Sequence, residues 1–411
     1  MNLFPQNCIT ELFRKLTQIT RLSRVVGLLP VILMSACTRG PAPSPEFAFR
    51  ETAPTEISDD TDFSGLIEAI DKQRPVLQQD PDKPMQFGPV VTTRAQYVAA
   101  LDRLTTMLRG PSSLEEKISF IRGNFRFFEI YGDRRWGEVL LTSYYEPIIK
   151  GSTKPSPQYP YPLYAKPSDL VTIDLKSFAE RFKGENSLKG RIFDGKVVPF
   201  YTREEIDAKG ALRGKQLELC WVDPIEAFFL HIQGSGTVKL EDGREIFVTY
   251  ADKNGHRYEA IGKFLKERIA PRAVTMQRVE AALRAMPARE RDQLLYKNPS
   301  YVFFTLSAKR AITSLGIPAT PGRTIAVDPK FAPKGALALL SFAKPILEKD
   351  AASTSDPIGA LQVSRLVLDQ DSGGAITGTG RVDLFWGRGD EAKRYAGIMQ
   401  HRARLFYLVP R

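Results

Sequence analysis

The chain has 411 residues, 43% hydrophobic, 10% aromatic and 26% charged, with a formal net charge of +11. That length accommodates two or three domains, and 29 prolines with 30 glycines point to many turns and short strands rather than a helical bundle. His231, His256 and His401 stand singly and no cysteine–histidine spacing suits zinc, which argues against a zinc site and a histidine-based nucleophilic triad.

In chain order, residues 1–36 read as a removable secretory signal. Arg14, Lys15, Arg21 and Arg24 form a basic segment, an apolar run follows from Val25 to Met34, and Ser35-Ala36 precede Cys37. The run is too short to span a bilayer as a helix. Small residues before a cysteine resemble a bacterial lipoprotein signal, which would leave Cys37 as a lipidated first residue; the other reading is an ordinary buried anchor with an incidental cysteine. Thr38, rather than aspartate, after Cys37 resembles lipoproteins sorted to the outer membrane. Discounting four basic residues and Glu11 in the first 36 lowers the net charge to +8. Such a balance implies an acidic partner: nucleic acid, anionic lipid or an anionic cell-wall polymer. Secretion and the lack of a concentrated Lys/Arg run argue against nucleic acid, and a cell-wall glycan bearing peptide carboxylates fits better.

Residues 37–60, rich in Pro, Ser, Thr and Glu, are expected to form a flexible tether. Thr93 is placed to cap a helix carrying Val98, Leu101, Leu104 and Leu108 on one face, closed by Gly110. Ser113-Leu114-Glu115-Glu116 reads as a capping box before Leu114, Ile118 and Ile121 at helical spacing. Val139 to Pro147 predicts a strand ending in Tyr144-Tyr145-Glu146, where the tyrosines either pack or stack on a sugar ring. Glu146 is also a candidate second carboxylate for ordinary glycoside hydrolysis.

From 151 to 266 the text is strand-like, with turns at Lys154-Pro155-Ser156-Pro157, Lys183-Gly184-Glu185-Asn186 and Glu241-Asp242-Gly243, which predicts an all-β insert. Within it Phe228-Phe229-Leu230-His231-Ile232 is expected as a buried strand running into Gln233-Gly234-Ser235-Gly236. That loop is either a plain Gly-Ser turn or a set of polar groups suited to an uncharged sugar. Cys220 reads as a packed core thiol. Pro271 is expected to open a helix with Val279, Ala282, Leu283 and Met286 on one face. No internal repeat is present.

Near the end, Arg365-Leu366-Val367-Leu368 stops in acid at Asp369 and Asp371, glycines follow at 373, 374, 378 and 380, and the chain resumes as Val382-Asp383-Leu384-Phe385-Trp386. On period-two alternation Asp383 shares a face with Phe385. A carboxylate beside an aromatic is poorly solvated, which raises its pKa and suits it to proton donation, although a strand aspartate satisfied by an arginine would show the same pattern. Asp328 is a third aspartate at a strand end. A calcium site at Asp369-Gln370-Asp371 fails the EF-hand pattern, because glycine stands at loop positions five and twelve.

Taken together and in order, Tyr144-Tyr145-Glu146-Pro147, His231-Ile232-Gln233-Gly234-Ser235-Gly236, Asn298-Pro299-Ser300-Tyr301-Val302-Phe303-Phe304 and the glycine-rich aspartate stretch resemble the membrane-bound lytic murein transglycosylase A family. The resemblance runs from about residue 90 to 409, and 320–409 is similar to the three-aspartate (3D) domain, matched by Asp328, Asp371 and Asp383. It implies a mainly β protein with peripheral helices: a double-psi β-barrel from 61–150 and 267–411, an inserted smaller β domain at 151–266, and a glycan groove between them. It implies Asp383 as the single catalytic acid and base, Asp371 and Asp328 as supporting carboxylates, and Thr142, Tyr144, Tyr145, Glu146, Gln233, Ser235 and Gly236 as substrate-binding residues. Ser143 stands where the family usually has glycine, a poor fit if the backbone there needs positive φ.

The activity implied is that of a peptidoglycan lytic exotransglycosylase. The bond between N-acetylmuramic acid and N-acetylglucosamine breaks without water, leaving a 1,6-anhydromuramoyl end. No metal or cofactor is implied. The expected partners are glycan strands, a membrane reached through the lipid, and cell-wall synthesis or hydrolysis enzymes; nucleic acid is not among them. The expected state is a monomer on the outer membrane facing the periplasm. A cell-wall-binding lipoprotein without turnover, and a hydrolase using Asp383 with Glu146 or Asp371, are the alternatives.

Overall fold

Six strands close on themselves in the order Gln400–Pro410, Leu337–Ile346, Gly359–Asp371, Thr324–Ala326, Arg381–Arg388 and Glu138–Glu146, the last pairing back to the first. Phe125–Ile130 and then Phe49–Glu51 extend this sheet beyond Gln400–Pro410. The computed structural model of the chain describes residues 44–132, 135–178, 187–269, 274–308, 310, 312–349, 352–374 and 376–411. The expected signal over 1–36, lipidation at Cys37, the turn at 183–186 and the helix start at Pro271 lie outside those residues.

Leu337-Ala338-Leu339-Leu340 is buried at every position instead of alternating, because both faces of this strand are covered. Leu66, Leu101, Leu104 and Leu108, from the helices Leu66–Gln78 and Arg94–Arg109, share its cluster with Leu366, Val367 and Leu368. The helix starts follow the predicted chemistry. Thr93 and Gln96 form a reciprocal capping box, as do Ser113 and Glu116 before Leu114–Asn124, so the first free amides of each helix are satisfied.

A second sheet leaves the barrel at Pro147. Its order is Val302–Ser307, Glu245–Lys253, Ser235–Leu240, Ile148–Ser152, Glu218–Val222 and Tyr161–Tyr164. Cys220 is fully buried in the core of this sheet. A mainly β architecture with few helices therefore stands as expected.

Three expectations are corrected. The tether expected over 37–60 is folded at its C-terminal end, where Phe49–Glu51 pairs with Phe125–Ile130. There, too, Asp59 and Asp60 are held by Arg323 and Arg365. Composition signalled a solvated linker, but buried ion pairs to residues far along the chain order it. The insert expected to end at 266 recruits a later strand, since Val302–Ser307 hydrogen-bonds along Glu245–Lys253. Phe228–Ile232, expected as a strand, lies in the helix Pro224–Gln233. The Asp223 carboxylate accepts from the amides of Ile225 and Glu226, Pro224 fills the first turn, and Gly234 at φ +80° ends the helix.

Candidate active site

Glu138–Glu146 and Arg381–Arg388 run parallel, with Asp383 opposite Thr142 and Phe385 opposite Tyr144. Residues paired across a ladder point to the same side, so this register sets all four side chains on one face. The Asp383 side chain is only 15% exposed, reachable yet poorly hydrated. Its Oδ1 accepts the Thr142 hydroxyl and lies 3.5 Å from Arg381 Nε. Burial pushes the Asp383 carboxyl above the usual aspartate range; Arg381 and the Thr142 hydrogen bond oppose the shift, and the charge of Asp371 reinforces it.

Asp371 ends Gly359–Asp371, which is separated from Arg381–Arg388 by the short strand Thr324–Ala326. Its carboxylate accepts from the Tyr144 hydroxyl at 2.8 Å, the Ser314 amide at 2.9 Å and the Ser372 amide at 2.8 Å. Burial raises its pKa too, against these donors. Tyr144 also lays its ring on Phe385 at 5.1 Å between centroids, so both ends of that side chain are fixed. Asp328 stands further back. Its Oδ2 accepts the Gly378 amide at 2.7 Å, which pins the glycine-rich loop where Gly378 takes φ +76°. Beneath the loop, Lys334 donates to Asp369 at 2.6 Å and to the carbonyl of Asp371. Asp369 is fully buried and its carboxyl is pushed up to about 6, burial outweighing Lys334 and Tyr407.

The insert meets this face through the end of Pro224–Gln233. Gln233 Oε1 accepts the Tyr145 amide at 3.2 Å, tying the helix end to the tyrosine-bearing strand. Ser235 is half-buried beside it, and Gly236 is buried where a Cβ would sit 2.6 Å from Leu230 Cδ1 and 3.1 Å from the Pro147 carbonyl oxygen. Gly236→Ala is accordingly expected to cost about 1–3 kcal/mol through forced displacement of Leu230, read as a lowered urea midpoint; an unchanged midpoint would show the loop is not packed this way.

The remaining expected residues divide. Thr142 with Asp383 and Tyr144 with Asp371 form two hydrogen-bonded pairs on one side of the paired strands. Tyr145 is buried with its ring on the opposite face of the strand, so its link to Gln233 is through its amide; alternation along the strand dictates this. Glu146 is also buried, accepting the Thr237 hydroxyl at 2.7 Å. It pairs with Arg388, four residues beyond the Thr142–Asp383 pair, a spacing of roughly 13 Å along the strand. Ser143 is not among the residues with positive φ; it sits in regular strand and accepts the Trp386 indole N–H at 3.1 Å. Arg381 and Lys334 were not singled out from the sequence. The same alternation that flags Asp383 places Arg381 on its face, whereas nothing local marks Lys334.

Comparison with known proteins matches these parts. Residues 140–305 match the family described as MltA specific insert domain, and 323–409 match the 3D domain. A protein of Vibrio cholerae named membrane-bound lytic murein transglycosylase A is 31% identical over 285 residues, 68% of each chain. The crystal structure of a membrane-bound lytic murein transglycosylase from Agrobacterium tumefaciens superposes with a TM-score of 0.71 at 30% identity, covering 89% of this chain and 98% of that one. Escherichia coli MltA with bound chitohexaose shares the fold at a TM-score of 0.66 and 24% identity, covering 90% and 96%. The chain belongs to the membrane-bound lytic murein transglycosylase A family.

Proposed function

We propose that this protein is a lytic transglycosylase that cleaves peptidoglycan between N-acetylmuramic acid and N-acetylglucosamine, with Asp383 as its only acid and base. The observation that carries the reading is one buried carboxyl with a raised pKa, set beside a hydroxyl and an arginine at the barrel–insert junction. Hydrolysis asks for two cooperating carboxylates. Glu146 lies far along the strand with its carboxylate engaged by Thr237, and Asp371 is saturated by three donors. An attacking hydroxyl that already belongs to the substrate removes the need for a second carboxylate.

Neutral Asp383 protonates the glycosidic oxygen as the bond to the muramoyl C1 breaks. The 6-hydroxyl of the same sugar closes on C1 and returns its proton to Asp383, leaving a 1,6-anhydro end and a regenerated acid. Asp371 holds Tyr144 and the loop, and Asp328 fixes the loop from behind. Thr142, Tyr144, Gln233, Ser235 and Gly236 line the sugar path, with Glu146 and Tyr145 buttressing it. Prolonged digestion of purified sacculi tests the reading; glycan chains left intact would make the protein a cell-wall binder instead.

Thr142 tunes the acid. Its hydroxyl pulls the Asp383 pKa down, so Thr142→Val leaves Asp383 protonated to higher pH. The alkaline limb of kcat/KM is therefore expected to move upward in that variant, and a limb that stays put or falls contradicts the assignment of Asp383 as the titrating acid.

The relatives are named membrane-bound, and membrane association is part of this reading. In its finer form, Cys37 carries the lipid, and the body works as a monomer on the periplasmic side of the outer membrane. Partners would be other cell-wall enzymes, and nucleic acid would not be among them. The barrel is built from both ends of the chain around the insert.

A further inference from the structure

Lys253 closes the strand Glu245–Lys253 of the insert and faces the glycine-rich loop of the barrel. A Cβ added at Gly374 would come within 3.2 Å of its ammonium. The acid next to it in sequence, Asp252, is already neutralised by Lys166 at 2.8 Å and Lys189 at 2.9 Å. Among the described residues no carboxylate lies within salt-bridge distance of Lys253, and the side chain is only partly exposed. Arg381, at the far end of the loop, reaches Asp383 and Thr142. An ammonium with no carboxylate partner, set against the loop between Asp371 and Arg381, is free to take an anion that arrives with the substrate. The saccharide backbone of peptidoglycan is uncharged, but each N-acetylmuramic acid carries, through its lactyl group, a short peptide rich in carboxylates.

We infer that Lys253 is a specificity-determining residue that binds a stem-peptide carboxylate, so that peptide-bearing strands are preferred over naked glycan. The inference rests on the proposed cleavage of peptidoglycan and deepens it. It agrees with the net charge of +8 left after the first 36 residues are discounted, which calls for an acidic partner that the sugars alone do not supply.

The test compares kcat/KM on glycan strands with their stem peptides against the same strands stripped by an amidase. Wild type is expected to favour peptide-bearing strands by about tenfold, the scale of one charge-assisted hydrogen bond, and raised salt shrinks the preference. Lys253→Gln is expected to lose most of it through KM, whereas Lys253→Arg retains it. Equal losses on both substrates in Lys253→Gln would make the residue a strut between insert and loop and overturn the inference. So would a wild type that shows no preference while cleaving both. A wild type that cleaves neither overturns the proposed function itself, and this inference with it.

Discussion

Asp383→Asn is expected to lower turnover on the order of a thousandfold or more, since one carboxyl performs both proton transfers. The substitution is nearly isosteric, and the new amide can still accept the Thr142 hydroxyl through its oxygen. Folding and glycan binding are thus expected to survive, seen as an unchanged denaturation midpoint and retained pull-down by sacculi. Neither neighbour can take over. Asp371 is committed to Tyr144, Ser314 and Ser372, and Glu146 lies at the far end of its strand with its carboxylate engaged by Thr237. Turnover near the wild-type rate would move the catalytic role to another group.

The largest expected effect on stability lies at the buried pair of Arg323 and Asp59. Arg323 is fully buried, donates to both oxygens of Asp59, and bonds the carbonyls of Ser64 and Leu366. Arg323→Met leaves the Asp59 carboxylate buried without its cation and is expected to cost about 3–5 kcal/mol. Burial alone would push the Asp59 carboxyl up, but the hydrogen bonds and charge of Arg323 more than offset this and hold it below the usual range. A depressed folded pKa contributes stability that is present above the unfolded value and lost as pH falls through the folded one. The gap between wild type and variant is therefore expected to be widest at neutral pH and to narrow as pH falls. It narrows first as the orphaned, burial-raised carboxyl of the variant takes up a proton, and then as wild type passes below the usual aspartate range. Chemical denaturation from neutral pH into acid checks it, and a gap that widens in acid contradicts the assignment. The double variant with Asp59→Leu is expected to recover part of the loss, because the orphaned charge is removed.

This ion pair also shows where sequence reading stops. Asp59 sits in a stretch with the composition of a linker, and its partner is 264 positions away. Nothing local encodes that pairing. The same holds for Val302–Ser307, whose membership of the insert sheet is fixed by register with Glu245–Lys253 across the intervening helices. The apolar run Phe228–Ile232 fits strand or helix equally by periodicity, and the deciding signals, Asp223-Pro224 and Gly234, lie at its edges. By contrast the setting of Asp383 was legible, because alternation in Val382 to Trp386 puts it on the face of Phe385. Alternation also had the means to turn the Tyr145 ring away from Thr142 and Tyr144, but the paired tyrosines read as a unit. Lys253 carried no local signal at all: its meaning comes from the loop it faces.

Product mass bears most directly on the central claim. Wild-type digests of sacculi, measured by mass spectrometry, are expected to contain muropeptides one water lighter than their hydrolytic counterparts, with these products absent from Asp383→Asn digests. Reducing-end muropeptides from the wild type, or anhydro products persisting in Asp383→Asn, would contradict a non-hydrolytic cleavage run by this one carboxyl.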